Sequence, residues 1–501
     1  MRFGIFLLWG ILSLNCTLYA EQNILKWGGD ANGGAPYLLL DPQNPRKIIG
    51  FEYDVAEALA REMGMQAQFV QHQWDNIIPG LNRGNFDIVL NGIEITPARK
   101  AEVDFSTPYF YTDELLTVRK DETNIHDWED LDGKKVGTLK ESVAERLLNE
   151  HGVAVASYED QTPIYDDLAF GRLNAVLMDQ PIALYYGSID LRLKTLPKSL
   201  GKVAYAVCVR KGQTELVEKI NAAIKRLIAS GELRNIYERW GVWNNDMARE
   251  FPDNSPKHEE ATQFKAYVEN FHKQSSFENR IEQYKSYAPM LLNGALMTLK
   301  LSSLAMICAI ILGLFIALSR LYAPKPIAVL AFAFVEIIRG TPLLIQLFLI
   351  YYGLPNLGIK LNPFVAAIIG LALNYSAYES EIYRASISAI PHAQMEASLA
   401  LGLNRWQALF HIIIPQAIRI VMPPMTNDFI SLLKDSSLVS VITLVELTRV
   451  YGQLAAASYD YLGVGLITAF IYFLMGVPFV RLSRWIEKRY SFDSHTLHGV
   501  H

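Results

Sequence analysis

The chain has 501 residues, 51% of them hydrophobic and 19% charged, with a formal net charge of -5. That length accommodates several domains, and the mild acidity gives no reason to expect a nucleic-acid partner. The composition is too apolar for a wholly soluble chain, and the excess is uneven: charge concentrates in residues 21–290, while residues 291–490 are mostly apolar.

In chain order, Arg2 precedes an apolar run at 5–14 and the small-residue site Leu18-Tyr19-Ala20, so residues 1–20 read as an export signal, cleaved or kept as an anchor. The soluble part then lies outside the cytoplasm. Cys16 follows a poor lipobox, and with Cys208 and Cys308 far apart no disulfide framework is implied. From 24 to 245, short β-like runs alternate with amphipathic helical ones. Val55, Leu59 and Met63 stand at helical spacing, and residues 86–90 read as a strand. Such alternation predicts an α/β fold with largely parallel sheets. The β-rich runs 115–118 and 204–209 flank a section of domain size, the pattern of two strands crossing between two lobes with a ligand cleft between them.

Residues 246–290 form a polar linker containing Pro252 and Pro256. Within it Phe264, Val268 and Phe271 recur at helical spacing, either as an amphipathic helix resting on the membrane or on the apolar part of the chain, or as part of a solvated spacer. Apolar runs at 301–318, 342–357, 363–384, 418–433 and 462–482 then read as five spans, each near the length of about 20 residues that a crossing helix requires. Residues 327–338 read as an interfacial helix. Arg320, Lys325, Arg405 and the tail with Arg481, Arg484, Lys488 and Arg489 fall on one side, which positive charge marks as cytoplasmic. The opposite loops, 356–362 and 450–461, carry Lys360 as their clear positive charge.

Several segments carry resemblances. Between spans, Glu396-Ala397-Ser398 is followed by Gly402 and, nine residues on, by Ile412-Ile413-Ile414-Pro415. This resembles the EAA loop of ATP-binding-cassette (ABC) importer permeases, with Ser398 and Ile414 as departures. In that family the loop is a helix-turn-helix docking on a cytoplasmic ATPase, which assigns coupling to Glu396, Ala397, Gly402 and Pro415. Residues 336–344, 377–384 and 434–438 are similar to segments of histidine/glutamine-type permeases. Charges at membrane depth are costly and by default face a cavity or one another, which places Lys434, Asp435 and Ser436 at the pathway or its gate.

The soluble part resembles family 3 extracellular amino-acid binding proteins through residues 49–55, 74–81, 91–100, 104–109 and 171–179. The resemblance implies that Arg99 and the N–H groups around Ser142 and Val143, at a helix start capped by Ser142, hold a ligand carboxylate. It gives Asp179 and the Gly92 backbone the ammonium, Trp74 the side chain, and Asp30 the polar end. Gly34 stands where many relatives have an aromatic, implying a roomier or differently floored pocket. Glu94 stands where they have Ser or Thr, adding negative charge that points to a basic or amide ligand.

The expected whole is a bilobed α/β periplasmic-binding-protein fold at 24–245 joined to an all-α five-span importer domain at 291–490, with the coupling loop at 396–415. No G-x-x-x-x-G-K-[S/T] segment is present. ATP hydrolysis is therefore expected from two copies of a separate ATPase, with this chain a homodimer in membrane lipid that takes an amino-acid ligand. No catalytic residue, metal or cofactor is expected. A ligand-gated channel is the alternative, against which stand the EAA-like loop and the lack of a T-V-G-Y-G segment.

Overall fold

The structure, a computed structural model, describes residues 23–31, 34–41, 44, 46–251, 259–273, 277–458 and 460–490. The expected signal at 1–20, Cys16, Pro252 and Pro256 lie outside the described residues.

The described strands are β1 (Ile24–Gly29), β2 (Leu39–Leu40), β3 (Ile48–Ile49), β4 (Gln66–Gln71), β5 (Ile88–Val89), β6 (Val103–Arg119), β7 (Lys135–Leu139), β8 (Ala154–Tyr158), β9 (Ala175–Asp179) and β10 (Leu193–Arg210). One sheet runs in the order β4-β1-β5-β10-β6-β9-β7-β8. Within the first lobe β1 pairs in parallel with β4 and β5, and within the second β7 pairs in parallel with β8 and β9. The two long strands join them. β6 and β10 have 17 and 18 residues and pair antiparallel from Val103–Arg210 to Arg119–Leu193. At about 3.3 Å per residue each reaches roughly 55 Å, enough to belong to both lobes. The expected crossing strands are present, and they make the sheet mixed rather than largely parallel.

Local sequence accounts for the flanking helices. Phe51–Glu62 turns Phe51, Val55 and Leu59 inward while Arg61 stays exposed, a single apolar stripe at helical period. Phe51 stacks on Phe110 at 5.0 Å between ring centres, and Phe110 on Tyr205 at 5.7 Å, so the crossing strands are gripped by aromatic rings near the waist. Burying each such side chain contributes about 1.5–3 kcal/mol. The linker helix Thr262–Lys273 rests on the binding domain: Phe264 and Tyr267 meet the buried Tyr185 at 5.0 and 4.8 Å. Tyr185 gives that helix a nearby apolar surface, which removes it from the role of a solvated spacer.

The membrane part is helical. Among the described residues three helices are long and apolar enough to cross a membrane, Arg280–Tyr322, Arg405–Ile442 and Tyr461–Trp485, and a pair bent by 105°, Lys325–Arg339 with Leu343–Leu357, adds up to one more. The expected interfacial helix is the first member of that bent pair. Pro363–Ser388 has 26 residues, about 39 Å at 1.5 Å per residue, yet it carries Asn374 near its middle and Glu379, Glu381 and Arg384 in its second half, which is largely enclosed by neighbouring helices. Gly313 lets the first helix approach it closely, since a Cβ there would lie 2.7 Å from that of Glu379. Glu381 is paired with Arg320 and, at 2.8 Å, with Arg384. Residues 450–458, expected in a loop, belong to the helix Leu447–Ser458, whose start is capped by Glu446: its carboxylate accepts from the N–H groups of Thr448 and Arg449, both at 2.8 Å.

Candidate functional site

Between the lobes, one cavity is lined by Asp30, Trp74, Gly92, Glu94, Ser142 and Asp179 among the sequence-predicted residues. Local chemistry positions each. Ser142 caps the helix Val143–Glu150, its Oγ accepting from Glu145 N–H at 3.1 Å. Asp179 ends β9 and caps the following turn through Ile182 N–H at 3.0 Å, while Tyr205 Oη donates to it at 2.7 Å. It is thus both a cap and a cavity wall. Gly92 takes φ +61°, where glycine is unstrained, and donates its N–H to the buried Glu52 at 2.6 Å.

Arg99 and Val143 stand behind the cavity wall, both bonded to Glu94. One Glu94 oxygen takes the Arg99 guanidinium in an ion pair and the other accepts the Val143 N–H at 3.1 Å. Arg99 also donates to the Glu141 carbonyl at 3.1 Å and lies 5.4 Å from the centre of the Trp74 ring. Glu141 itself has φ +61°, a strained conformation for a residue with a side chain. Trp74 Nε1 donates to the Lys140 carbonyl at 3.4 Å, so three contacts from the first lobe reach the second and the cleft is closed. Beside Gly34 the space is occupied, not open: a Cβ there would lie 1.9 Å from Gln161 Nε2 and 2.2 Å from Tyr186 Oη, so of the two expectations a different floor fits and extra room does not.

Two functional candidates escaped the sequence reading. Glu114, on β6 directly opposite Asp179 of β9, is 3% exposed and lines the cavity, and its Oε2 has no hydrogen-bond partner. Its signal is the alternation Thr112, Glu114, Leu116, all three on the buried face of the strand. Arg449 is the second. From the permease it reaches Asp30 at 3.0 Å, with the two side chains only 7% and 8% exposed. Asp30 also accepts from Gln71 at 2.8 Å and from Trp74 N–H at 3.0 Å, so it is held between cleft and permease.

Further contacts seat the binding domain on the permease. Arg83 donates to the Leu361 carbonyl at 2.7 Å and lies 3.8 Å from the centre of the Tyr351 ring, while Lys360 donates to the Arg83 carbonyl at 2.7 Å. Elsewhere in the permease, His392–Ala400 and Arg405–Ala408 form the expected helix-turn-helix. Gly402 takes φ +85°, and Leu403 N–H bonds the Ser398 carbonyl at 3.2 Å, closing the first helix. Glu396 and Ala397 are exposed, and Pro415 stands in the first turn of Ile414–Asp435. Asp435 lines a cavity of about 530 Å³ and accepts from Tyr375 Oη at 2.7 Å. Lys434 is exposed, and Ser436 is buried with its hydroxyl on the Leu433 carbonyl at 2.8 Å.

Residues 25–242 match the bacterial extracellular solute-binding proteins, family 3, and residues 309–492 match the binding-protein-dependent transport system inner membrane component. The chain is 41% identical over 206 residues to the L-cystine transport system permease protein TcyB of Bacillus subtilis (strain 168), covering 41% of this chain and 88% of that one. It is 34% identical over 203 residues to the glutamine transport system permease protein GlnP of Escherichia coli (strain K12), covering 40% and 93%. Among solved structures, an ancestral arginine-binding protein bound to arginine aligns at 34% identity over 44% of this chain and 98% of that one, with a TM-score of 0.41. An amino acid ABC transporter structure with histidines aligns at 42% identity over 43% and 98%, with a TM-score of 0.40. With a cleft-bearing α/β domain seated on a helical domain that carries a helix-turn-helix at 392–408, the chain belongs to the amino-acid ABC transporter permeases of the inner membrane, with a family 3 solute-binding domain fused in the same polypeptide.

Proposed function

We propose that the chain is the combined receptor and permease subunit of an ATP-driven importer for polar amino-acid solutes with a cationic or amide end. Two copies form the pore by five crossings each, the binding domain faces the periplasm or exterior, and two copies of a separate ATPase dock at Glu396, Ala397, Gly402 and Pro415. The cleft residues Asp30, Trp74, Gly92, Glu94, Arg99, Ser142, Val143 and Asp179 receive the solute, and Lys434, Asp435 and Ser436 belong to the pathway. The observation that carries this reading is the buried Arg449–Asp30 pair, because Asp30 lines the ligand cleft and Arg449 starts a permease helix. A ligand-dependent change at the cleft wall is thereby transmitted to the membrane part. Docking within one chain is also favoured by tethering, which supplies the receptor at an effective concentration that is roughly millimolar for short flexible linkers.

The direct test is co-purification of the tagged chain with an ATPase from its own cells. A complex holding two copies of each is expected. A chain that purifies alone and passes ion currents when ligand is added to a planar bilayer would favour the channel instead.

A further inference from the structure

Asp30 is a wall residue of the ligand cleft and, at the same time, the partner of a cation from the membrane part. The first lobe fixes it firmly. Its N–H donates to Asn91 Oδ1 at 2.9 Å, and its carboxylate accepts from Gln71 at 2.8 Å and from Trp74 N–H at 3.0 Å. Arg449 meets the same carboxylate at 3.0 Å, and among the described residues that line the cavity Arg449 is not one, so it approaches from behind the wall. The guanidinium is anchored in turn. Arg449 N–H bonds Glu446 at 2.8 Å, and the Glu446 carboxylate is held by Thr298 of the helix Arg280–Tyr322 at 3.4 Å and by Tyr472 of Tyr461–Trp485 at 3.2 Å. The Gln73 amide, turned to donate to the Val441 carbonyl at 3.1 Å, accepts from the same guanidinium at 3.1 Å. One buried carboxylate thus stands between the cleft and two helices long enough to cross a membrane.

A carboxylate holds a ligand cation best when its own charge is not already balanced. With Arg449 against it, Asp30 is balanced, and a second cation on the cleft side is repelled across a poorly screened interior. Ligand cation and Arg449 therefore compete, and each weakens the other's hold by the same factor. We propose that Arg449 is a release residue: with the binding domain seated, its guanidinium takes the Asp30 carboxylate from the cationic end of a bound basic amino acid and lowers the affinity of the cleft for it. Arg449 acts through Asp30, as a positioning residue for the transfer of the ligand, and movement of the helices that carry Thr298 and Tyr472 shifts it against the cleft wall. The inference rests on the reading of the cleft as the receptor site.

Calorimetric titration of the full chain in detergent with L-lysine, L-arginine and L-glutamine tests it. Arg449→Gln is expected to bind lysine or arginine at least tenfold tighter than the natural chain does, with glutamine affinity changed less than threefold, a selective gain that misfolding cannot imitate. Arg449→Lys keeps the charge and is expected to stay near the natural affinities, and adding Asp30→Asn to Arg449→Gln is expected to abolish the gain. Unchanged or weaker binding of lysine and arginine in Arg449→Gln, or an equal gain for glutamine, would overturn the proposal while leaving the receptor reading in place. Binding of none of the three by the natural chain and the variant alike would overturn both.

Discussion

Arg99 and Glu94 show how a residue's meaning changes with its partner. From sequence Arg99 is a free anion hook and Glu94 an added charge; in the folded cleft they neutralise one another, with side chains 18% and 8% exposed. Breaking such a pair on one side typically costs about 3–5 kcal/mol because the other charge stays buried. Arg99→Ala is therefore expected to lower the thermal midpoint of the binding domain by several degrees, and the double variant Arg99→Ala, Glu94→Ala to recover part of that loss. Strictly additive losses would show that the pair is not coupled. The remaining carboxyls set a pH dependence. Burial pushes Glu52 up to about 7 and Asp179 up to about 6, against bonds from Tyr109 and Gly92 in the first case and Tyr205 and Ile182 in the second. Glu114 is raised by burial and by Asp179, Glu94 and Asp113 beside it. Folded values above unfolded ones mean that the empty cleft binds extra protons. Its stability contribution is complete below about pH 4 and is lost as pH rises through 6 to 7. Asp179 lines the cleft, and a bound cation favours its ionised form, so affinity for L-lysine is expected to rise between about pH 5 and 7 with proton release. Titrations across that range that show constant affinity would contradict this assignment.

At the scale of elements, the legible features were those set by neighbours in sequence. Ser142 as a helix cap, the helix Phe51–Glu62 and the left-handed Gly402 follow from local backbone chemistry, and each is present. What escaped was made by contacts distant in sequence. Leu447–Ser458 begins on Glu446, and the same carboxylate is also held by Thr298 at 3.4 Å and Tyr472 at 3.2 Å, which no local pattern reveals. The linker helix found its apolar partner in Tyr185 of the binding domain. Gly402 has open space around it, so a side chain there meets no clash and only the backbone objects, by about 1–2 kcal/mol for a left-handed residue. Gly402→Val is expected to leave ligand binding unchanged while ATPase association and ligand-stimulated ATP hydrolysis fall together. Full stimulation in proteoliposomes carrying this variant would remove the turn from the coupling route. At the docking surface, Arg449→Ala leaves Asp30 buried without its cation, and the seated binding domain is expected to loosen. Faster amide exchange in β4 and around Trp74 would report it, and unchanged exchange would mean that the other contacts, among them Arg83, Lys360 and the apolar packing of Leu40, hold the domains without it.

For the molecule as a whole, composition already separated a charged α/β part from an apolar helical one, and the alternation of short elements announced two lobes joined by crossing strands. Crossing number was less legible. Bends such as the 105° break after Arg339, and a helix whose polar face is covered by other helices, blur the apolar run that marks a span. The seat of one part on the other was not legible at all, because Arg83, Arg449 and Leu361 carry no local signature of a shared surface. That seat gives the central claim its sharpest form: receptor and permease work as one chain. The decisive measurement is uptake of radiolabelled L-lysine, L-arginine and L-glutamine into proteoliposomes holding only this chain and its ATPase, with no added binding protein. ATP-dependent accumulation of one of them, lost in Asp179→Ala, is predicted; uptake that needs a separate binding protein, or that proceeds without ATP, would contradict it.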